Sequence, residues 1–228
     1  MDISQEAIDL IIAWEVAGGE RELARSLYDR RYTHPHWPGN EASGLTIGIG
    51  YDLRHQTNNF EGDWKMRLSA LPVPDAYDRL RAYLGVGGSR AAERATRDIS
   101  IPWDDAMIVF RIRRLPSYID LAKSAFPGVD TLGPHAWGAL TSLVYNCGTK
   151  TKDKPLKKKA YDSIRAAIAA RSIRGVADGI REMKAFHTAA TPEIARGLHR
   201  RRDAEAALVM RTWILEAGEV VKPNLSVA

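Results

Sequence analysis

The sequence predicts an α+β fold that is mainly helical, in which a small β-hairpin lobe joins a larger helical lobe and a cleft lies between the two. A segment near residue 50 alternates with period two, which is typical of β structure, whereas residues 4–17 and most of the chain after residue 60 follow the helical period. Prolines fall at most of the breaks between the helical stretches. We therefore expect one domain over residues 1–228, with the hairpin lobe and its loops at 18–60 and the helical lobe formed by 61–228 and helix 4–17.

The first predicted element is an amphipathic helix over residues 4–17. Ser4 is a suitable N-cap, and Gly18-Gly19 ends the periodic stretch. One face carries an apolar stripe that ends in a carboxylate, formed by Ile8, Ile11, Ile12 and Glu15. Apolar surroundings and the negative end of the helix dipole both favour a protonated carboxyl group, which a glycosidase needs as its proton donor. Glu15 is therefore a candidate general acid; the alternative is a helix-end glutamate that reaches solvent.

The second predicted element is a β-hairpin whose turn is formed by Gly48-Ile49-Gly50. This turn pairs Ile47 with Tyr51. It also places Thr46 opposite Asp52 with Cβ atoms only ~5 Å apart, whereas a straight strand would separate them by roughly 20 Å. The hairpin thus makes a hydroxyl and a carboxylate neighbours and marks both as candidate site residues, unless this polar face only meets water.

The remaining elements are helices, apart from a loop over residues 29–44 that carries turn formers and rings without periodicity. The predicted helices cover roughly residues 61–70, 74–84, 88–97, 103–124, 134–146, 158–170, 172–187 and 200–216. Pro116 lies inside one of them and is expected to kink it. Lys150–Lys159 is strongly charged and is expected to be a solvated loop.

The composition is that of a globular protein with a basic surface. The 228 residues carry a net charge of +5 and a single cysteine, Cys147, which excludes an internal disulfide and agrees with synthesis in a reducing compartment. A basic surface favours anionic polymers, but no recognition motif organises the basic residues, so no specific nucleic-acid partner is expected. The N-terminal segment has no basic region before an apolar run, and no apolar stretch reaches the ~18 residues of a membrane span. Neither a signal peptide nor a transmembrane segment is expected.

Three segments resemble the phage-type lysozymes (endolysins), in the order in which that family has them. The string Thr46-Ile47-Gly48-Ile49-Gly50-Tyr51-Asp52 follows a helix that ends in Glu15-Val16-Ala17-Gly18-Gly19. Ala139–Gly148 is similar to the family's "ALVSFVFNxG" helix, and Gly197–Glu205 is similar to its C-terminal "GLxxRRxxE" helix. Residues 60–100 match nothing in the family.

The resemblance implies a lysozyme-like muramidase that hydrolyses the β-1,4 bond between N-acetylmuramic acid and N-acetylglucosamine in peptidoglycan, with inversion and without a cofactor or metal. It implies that Glu15 is the catalytic acid, that an aspartate positions water and that Thr46 holds this water. Many members have the aspartate six residues before the threonine, where this chain has Asn40 followed by Glu41. The pesticin-like members have it six residues after, which Asp52 matches. The hairpin geometry also favours Asp52, and Glu41 remains the alternative.

The resemblance also bears on partners and place of action. The expected substrate-binding residues are Trp37, Tyr51 and Ser43, and the expected partner is the glycan strand of the bacterial wall, with an inhibitor or immunity protein as an open further partner. We expect a monomer that is made in the bacterial cytoplasm and is carried by another system to the wall, in the periplasm or outside the cell. The same resemblance makes Arg201, Arg202 and Glu205 structural rather than catalytic.

Three other functions stay open at this point. A non-catalytic wall-binding or virion structural module could keep the same fold. A peptidoglycan amidase could use Cys147 with a histidine as its nucleophile. A metal-dependent amidase could use His34, His36 and His55, although the segment lacks the cysteine or carboxylate framework of a convincing metal site.

Overall fold

The structure, a computed structural model, describes residues 3–188 and 191–216 and is mainly helical with one small antiparallel sheet in that part of the chain. This confirms the α+β, mainly helical class. The first elements are α1 (Gln5–Val16), α2 (Ala24–Arg31), β1 (Thr46–Ile47), β2 (Tyr51–Asp52), α3 (Phe60–Ser69), α4 (Ala76–Arg81), α5 (Arg90–Ala95) and α6 (Trp103–Ile108). They are followed by α7 (Leu115–Ala125), α8 (Pro134–Cys147), α9 (Pro155–Ala169), α10 (Ile173–Glu182) and α11 (Pro192–Glu216). No helix among the described residues is long and apolar enough to cross a membrane.

The chain divides into two compact units. The hairpin unit runs from Ile12 to Ser117, and the helical unit comprises the residues up to Ile11 together with Tyr118 onward. The predicted lobe boundary at residue 60 falls inside the hairpin unit, which therefore holds helices α2 to α6 as well as the sheet.

Helix α1 has the ends that the sequence predicts. The Ala7 N–H donates to Oγ of Ser4 at 3.2 Å, so Ser4 caps the helix. At the other end Gly18 and Gly19 have φ of +58° and +102°, a backbone that turns the chain out of the helix. The Gly19 N–H donates to the Ala13 carbonyl oxygen at 3.0 Å and so satisfies a helix-end acceptor.

Helix α2 was not predicted, and the predicted loop over residues 29–44 is wrong over its first three residues for that reason. Its apolar content is low, but Ala24 and Tyr28 are buried. The Tyr28 hydroxyl donates to the Ile101 carbonyl oxygen at 3.0 Å, and its ring meets Trp103 edge-on. Two buried side chains on eight residues give too weak a periodic signal to read from sequence.

The helix predicted over residues 103–124 is one continuous helical stretch with a change of winding. Val109–Arg114 forms a π-helical segment between α6 and α7 that ends two residues before Pro116. Proline lacks an N–H and its ring crowds the carbonyl four residues earlier, here that of Ile112. A wider turn at this point relieves that crowding without ending the helix.

In the helical unit, α8 is the buried centre, with ten consecutive buried residues from His135 to Val144. Gly138 lets the start of α1 approach closely, because a Cβ there would lie 2.2 Å from the Cβ of Ala7. Ser4 also reaches α8, since its N–H donates to the Pro134 carbonyl oxygen at 3.2 Å.

The prediction of a solvated loop over Lys150–Lys159 is wrong in its second half, where α9 begins at Pro155. Lys157 is fully buried, and its ammonium donates to the carbonyl oxygens of Cys147, Gly148 and Lys150 at 2.7, 2.9 and 2.9 Å. Burial lowers the pKa of Lys157. The side chain thus satisfies backbone acceptors at the end of α8 that water would otherwise solvate.

The arginines and the glutamate of the C-terminal motif form a buried ionic cluster. Arg201, Arg202 and Glu205 are 4%, 0% and 0% exposed. One Glu205 oxygen accepts from Arg202 at 2.8 Å, from Arg201 at 3.3 Å and from the Ser142 hydroxyl at 2.7 Å. These contacts tie α11 to α8 inside the helical unit, as expected of a structural role.

Candidate active site

The hairpin has the register that the glycine spacing predicts. Thr46 lies opposite Asp52 and Ile47 lies opposite Tyr51, with a three-residue turn between the strands. Ile47 and Tyr51 are buried whereas Thr46 and Asp52 are half-buried, so the sheet turns an apolar face to the core and a polar face outward.

The glycines of the turn are required by its geometry. Gly48 and Gly50 have φ of +54° and +64°. A Cβ on Gly48 would also lie 2.8 Å from the indole of Trp64, which is fully buried. Glycine at this position therefore permits the turn and also allows the backbone to pack directly against the indole ring.

Hydrogen bonds fix the carboxylate of Asp52. Its Oδ1 accepts from the N–H groups of Gly44 and Arg54, both at 2.9 Å, and the second of these caps the 3₁₀ turn Leu53–His55. Its Oδ2 lies 4.0 Å from Nε2 of His55, and the Asp52 side chain is 19% exposed. One oxygen is thus held by the backbone, and the other is left for a different partner.

Thr46 is held by its backbone on both sides. Besides its pairing with Asp52, it exchanges two hydrogen bonds with His36, at 3.0 and 2.7 Å, in an isolated antiparallel bridge. No hydrogen bond to its hydroxyl comes from the described residues. Directly paired residues point to the same face, so His36, Thr46 and Asp52 form a row across the sheet. The place of His36 in this row was not predicted, because a single bridge carries no periodic signal in the sequence.

Glu15 lies in the last turn of α1, as predicted, and is half-buried. Its helix end is fixed by close packing: a Cβ on Gly19 would lie 2.8 Å from the indole of Trp14. Thr46, Asp52 and Glu15 all belong to the hairpin unit.

Glu41, the alternative second carboxylate, has an exposed side chain in the loop that precedes the hairpin. Two side chains that follow the hairpin hold the backbone of this loop. Arg54 donates to the Glu41 carbonyl oxygen, and a ring nitrogen of His55 lies 3.0 Å from the Ala42 carbonyl oxygen. Ser43, a predicted substrate-binding residue, is half-buried, and its carbonyl oxygen accepts from the Gly88 N–H at 2.9 Å. These hydrogen bonds hold the carbonyl groups of the loop against the segment after the hairpin, whereas the Glu41 carboxylate is not held there.

The structure corrects one predicted substrate-binding residue and qualifies another. Tyr51 is only 3% exposed; its ring meets Trp64 edge-on and its hydroxyl donates to Asp63 at 3.0 Å, so it serves the core and offers no surface to a sugar. Trp37 is half-buried, donates to the Asn40 carbonyl oxygen at 3.0 Å and lies under the guanidinium of Arg90 at 5.7 Å. One part of its ring is therefore already covered.

Cys147 does lie near a histidine, but the surroundings disfavour a nucleophile. Its Sγ is 3.9 Å from Nε2 of His187 and accepts from Arg202 at 3.0 Å. Burial raises the pKa of the Cys147 thiol, and burial with nearby cations lowers the pKa of His187 to about 4. A thiol held neutral beside a poor base is the reverse of an activated pair.

Two of the three histidines of the metal alternative, His34 and His55, contact separate backbone carbonyl groups. His34 contacts the Ile99 carbonyl oxygen at 3.0 Å through Nδ1, and His55 contacts that of Ala42. In the part of the chain that the structure describes, no three His, Cys, Asp or Glu side chains form a group suited to a metal ion.

No protein-family model matches the chain, and no curated protein sequence matches it significantly.

Proposed function

We propose that the protein is a muramidase with a lysozyme-like fold, which hydrolyses the β-1,4 bond between N-acetylmuramic acid and N-acetylglucosamine in bacterial peptidoglycan. The observation that carries the proposal is the pairing of Thr46 with Asp52 across a tight hairpin, in the compact unit that also holds Glu15. We further propose that another system delivers the protein to the wall, where it acts.

In this proposal Glu15 donates a proton to the leaving glycosidic oxygen. Glu15 ends an apolar helix face in the last turn of α1 and is half-buried, so its carboxyl group is partly shielded from water while one side stays accessible to a substrate. Loss of an essential proton donor costs about 100-fold or more in rate.

Asp52 and Thr46 position the attacking water. The two backbone N–H groups fix Oδ1 of Asp52, which leaves Oδ2 to accept a hydrogen bond from water. The Thr46 hydroxyl on the paired strand, within about 5 Å by Cβ positions, provides the second contact. An attacking water between the two carboxyl groups would make the route inverting, and inverting enzymes in general need about 6.5–9.5 Å between the two groups.

The hydrogen bonds of Asp52 also favour a second candidate, a wall-binding module without catalysis. Asp52 caps the 3₁₀ turn and holds the Gly44 backbone, and this structural role alone is a sufficient reason for an aspartate at this position. The two functions differ in what Oδ2 does, and a single substitution separates them.

The decisive variant is Asp52→Asn. The asparagine Oδ1 can still accept the hydrogen bonds from the Gly44 and Arg54 N–H groups, so the loop and the cap persist. Only the negative charge of the side chain is lost. We expect unchanged thermal stability and at least about 100-fold less release of dye-labelled peptidoglycan. Glu41→Gln is the matched control and should keep full activity. Full activity in Asp52→Asn with loss in Glu41→Gln would move the second carboxylate to the loop.

Glu15→Gln tests the acid separately. We expect lysis to fall below a tenth of the wild-type rate with stability unchanged or slightly raised, because a carboxyl group kept for function on an apolar face is not kept for stability. Mass spectrometry of the muropeptides identifies the cut bond from the new reducing end. Binding to the wall without any cleavage by the wild type would favour the non-catalytic module.

A further inference from the structure

A basic pocket lies in the hairpin unit beside the row formed by His36, Thr46 and Asp52. It has a volume of about 360 Å³ and is lined by Arg31, His34, Pro35, His36, Arg90, Glu93, Arg94 and Arg97. Pockets of roughly 300–1,000 Å³ are the size that small ligands and ligand groups occupy. Half of the lining belongs to α5 and the turn after it, in the stretch that resembles nothing in the lysozyme family.

The charge of the pocket is unbalanced. Its single carboxylate, Glu93, is paired with Arg90 at 2.6 Å. Arg31, Arg94 and Arg97 form no ion pair with any carboxylate of the described residues, and all three are exposed. Several guanidinium groups around one cavity produce a positive potential that draws an anion. Planar guanidinium groups suit carboxylate and phosphate oxygens in particular.

The two walls of the pocket are fixed to each other. On one side the Ile101 N–H donates to the Thr33 carbonyl oxygen at 2.7 Å, and His34 contacts the Ile99 carbonyl oxygen. At the other end a Cβ on Gly88 would lie 2.2 Å from the Trp37 ring and 2.8 Å from the Gly44 carbonyl oxygen, so the Gly88 backbone packs directly against both. A pocket held in this way needs little ordering when a ligand enters.

His36 connects the pocket with the candidate active site. It lines the pocket and pairs directly with Thr46, so its Cβ is about 5 Å from that of Thr46 on the same face. Its Nδ1 is buried and has no hydrogen-bond partner among the described residues.

We propose that this pocket binds a free carboxylate of the peptide stem and so holds the stem of the same glycan strand that lies at Thr46 and Asp52. This inference rests on the proposed function, because the peptide stem is the anionic part of peptidoglycan nearest to the cleaved bond. Phosphate groups of other wall polymers share the same chemistry, but nothing would place them beside the hairpin row.

Direct binding tests the pocket without cleavage. The probes are a synthetic stem tripeptide with free carboxylates, the same peptide with its carboxylates amidated, and a short glycerol-phosphate oligomer, each titrated by calorimetry. We expect the free peptide to bind best and the amidated peptide about tenfold more weakly, because partly exposed ion pairs each contribute a few-fold. Equal binding of both peptides, or tighter binding of the phosphate oligomer, would overturn the assignment.

The matched variants are Arg94→Gln with Arg97→Gln, against Arg81→Gln as a control. Arg81 is an exposed arginine of α4 outside the pocket, so its loss changes the net charge without touching the lining. We expect the double variant to bind the free stem peptide about tenfold more weakly and the control to bind it normally. Normal binding by the double variant would also overturn the proposal.

Cleavage then separates this inference from the proposed function. We expect the double variant to lose kcat/KM on stem-bearing peptidoglycan by about tenfold and to cleave stem-free glycan at the wild-type rate. If the wild type cleaves neither substrate but still binds the stem peptide through these arginines, the muramidase proposal fails and the pocket assignment stands. If the wild type cleaves both and the variant matches it on both, only the pocket assignment fails.

Discussion

Replacing Gly48 with alanine tests whether the hairpin holds the site. The substitution adds a methyl group at φ +54°, where an L residue is strained by about 1–2 kcal/mol. The new Cβ would lie 2.8 and 2.9 Å from two carbons of the Trp64 indole and 3.5 Å from the Cβ of Ala106. Trp64 is fully buried, so overpacking against its ring adds about 1–3 kcal/mol. The total loss in the free energy of unfolding is about 2–5 kcal/mol.

Urea denaturation measures this loss, with Gly62→Ala as the control. Gly62 is a residue of α3 with nothing within 4 Å of a new Cβ, so the same methyl group should stabilise the helix by about 0.5–1 kcal/mol. We also expect the Gly48 variant to lose wall lysis, because a distorted turn displaces Thr46 from Asp52. If Gly48→Ala unfolds at the wild-type urea concentration, the turn does not lie on Trp64 and the proposed hairpin site is wrong.

Three further outcomes are expected. His187 takes up a proton near pH 6.5 in the unfolded chain but only near pH 4 in the folded protein, because its pKa is lowered to about 4. The free energy of unfolding should therefore be highest above pH 6.5 and fall by up to about 3 kcal/mol as the pH drops toward 4. A His187→Gln variant should lack this component in melts at pH 7 and pH 4.5, and parallel losses in both proteins would contradict it. Glu205→Gln should cost about 3–5 kcal/mol because it leaves the buried Arg201 and Arg202 without a counter-charge. The exposed Glu193→Gln on the same helix is its control, and equal melting temperatures would refute the ionic role. NMR of freshly cleaved oligosaccharide should show the α-anomer first; a β-anomer would replace the inverting route with a retaining one while leaving the muramidase proposal intact.

The hairpin was predictable because glycine carries specific backbone information. Two glycines one residue apart inside a period-two segment permit few turns, and each turn fixes the pairing of every residue around it. The register of Thr46 and Asp52 follows from that restriction alone. Ser4 and Gly18 fixed the ends of α1 in the same local way.

Contacts between distant segments could not be predicted in this way. Tyr51 was predicted to bind substrate, yet Trp64 and Asp63 of α3 enclose it. The bridge from His36 to Thr46 depends on a loop of irregular backbone that only the tertiary structure positions. The solvated loop predicted at Lys157 was wrong because a basic run predicts exposed side chains, whereas the fold buries this ammonium group.

The buried ammonium of Lys157 gives the protein a built-in reporter of unfolding. Amine-reactive labels reach exposed lysines at once, whereas the nitrogen of Lys157 is enclosed and engaged by three carbonyl oxygens. Its lowered pKa would make it a reactive amine if it were accessible. The labelling rate at this one position therefore measures how often the end of α8 and the start of α9 separate, a local opening that melting of the whole molecule would hide.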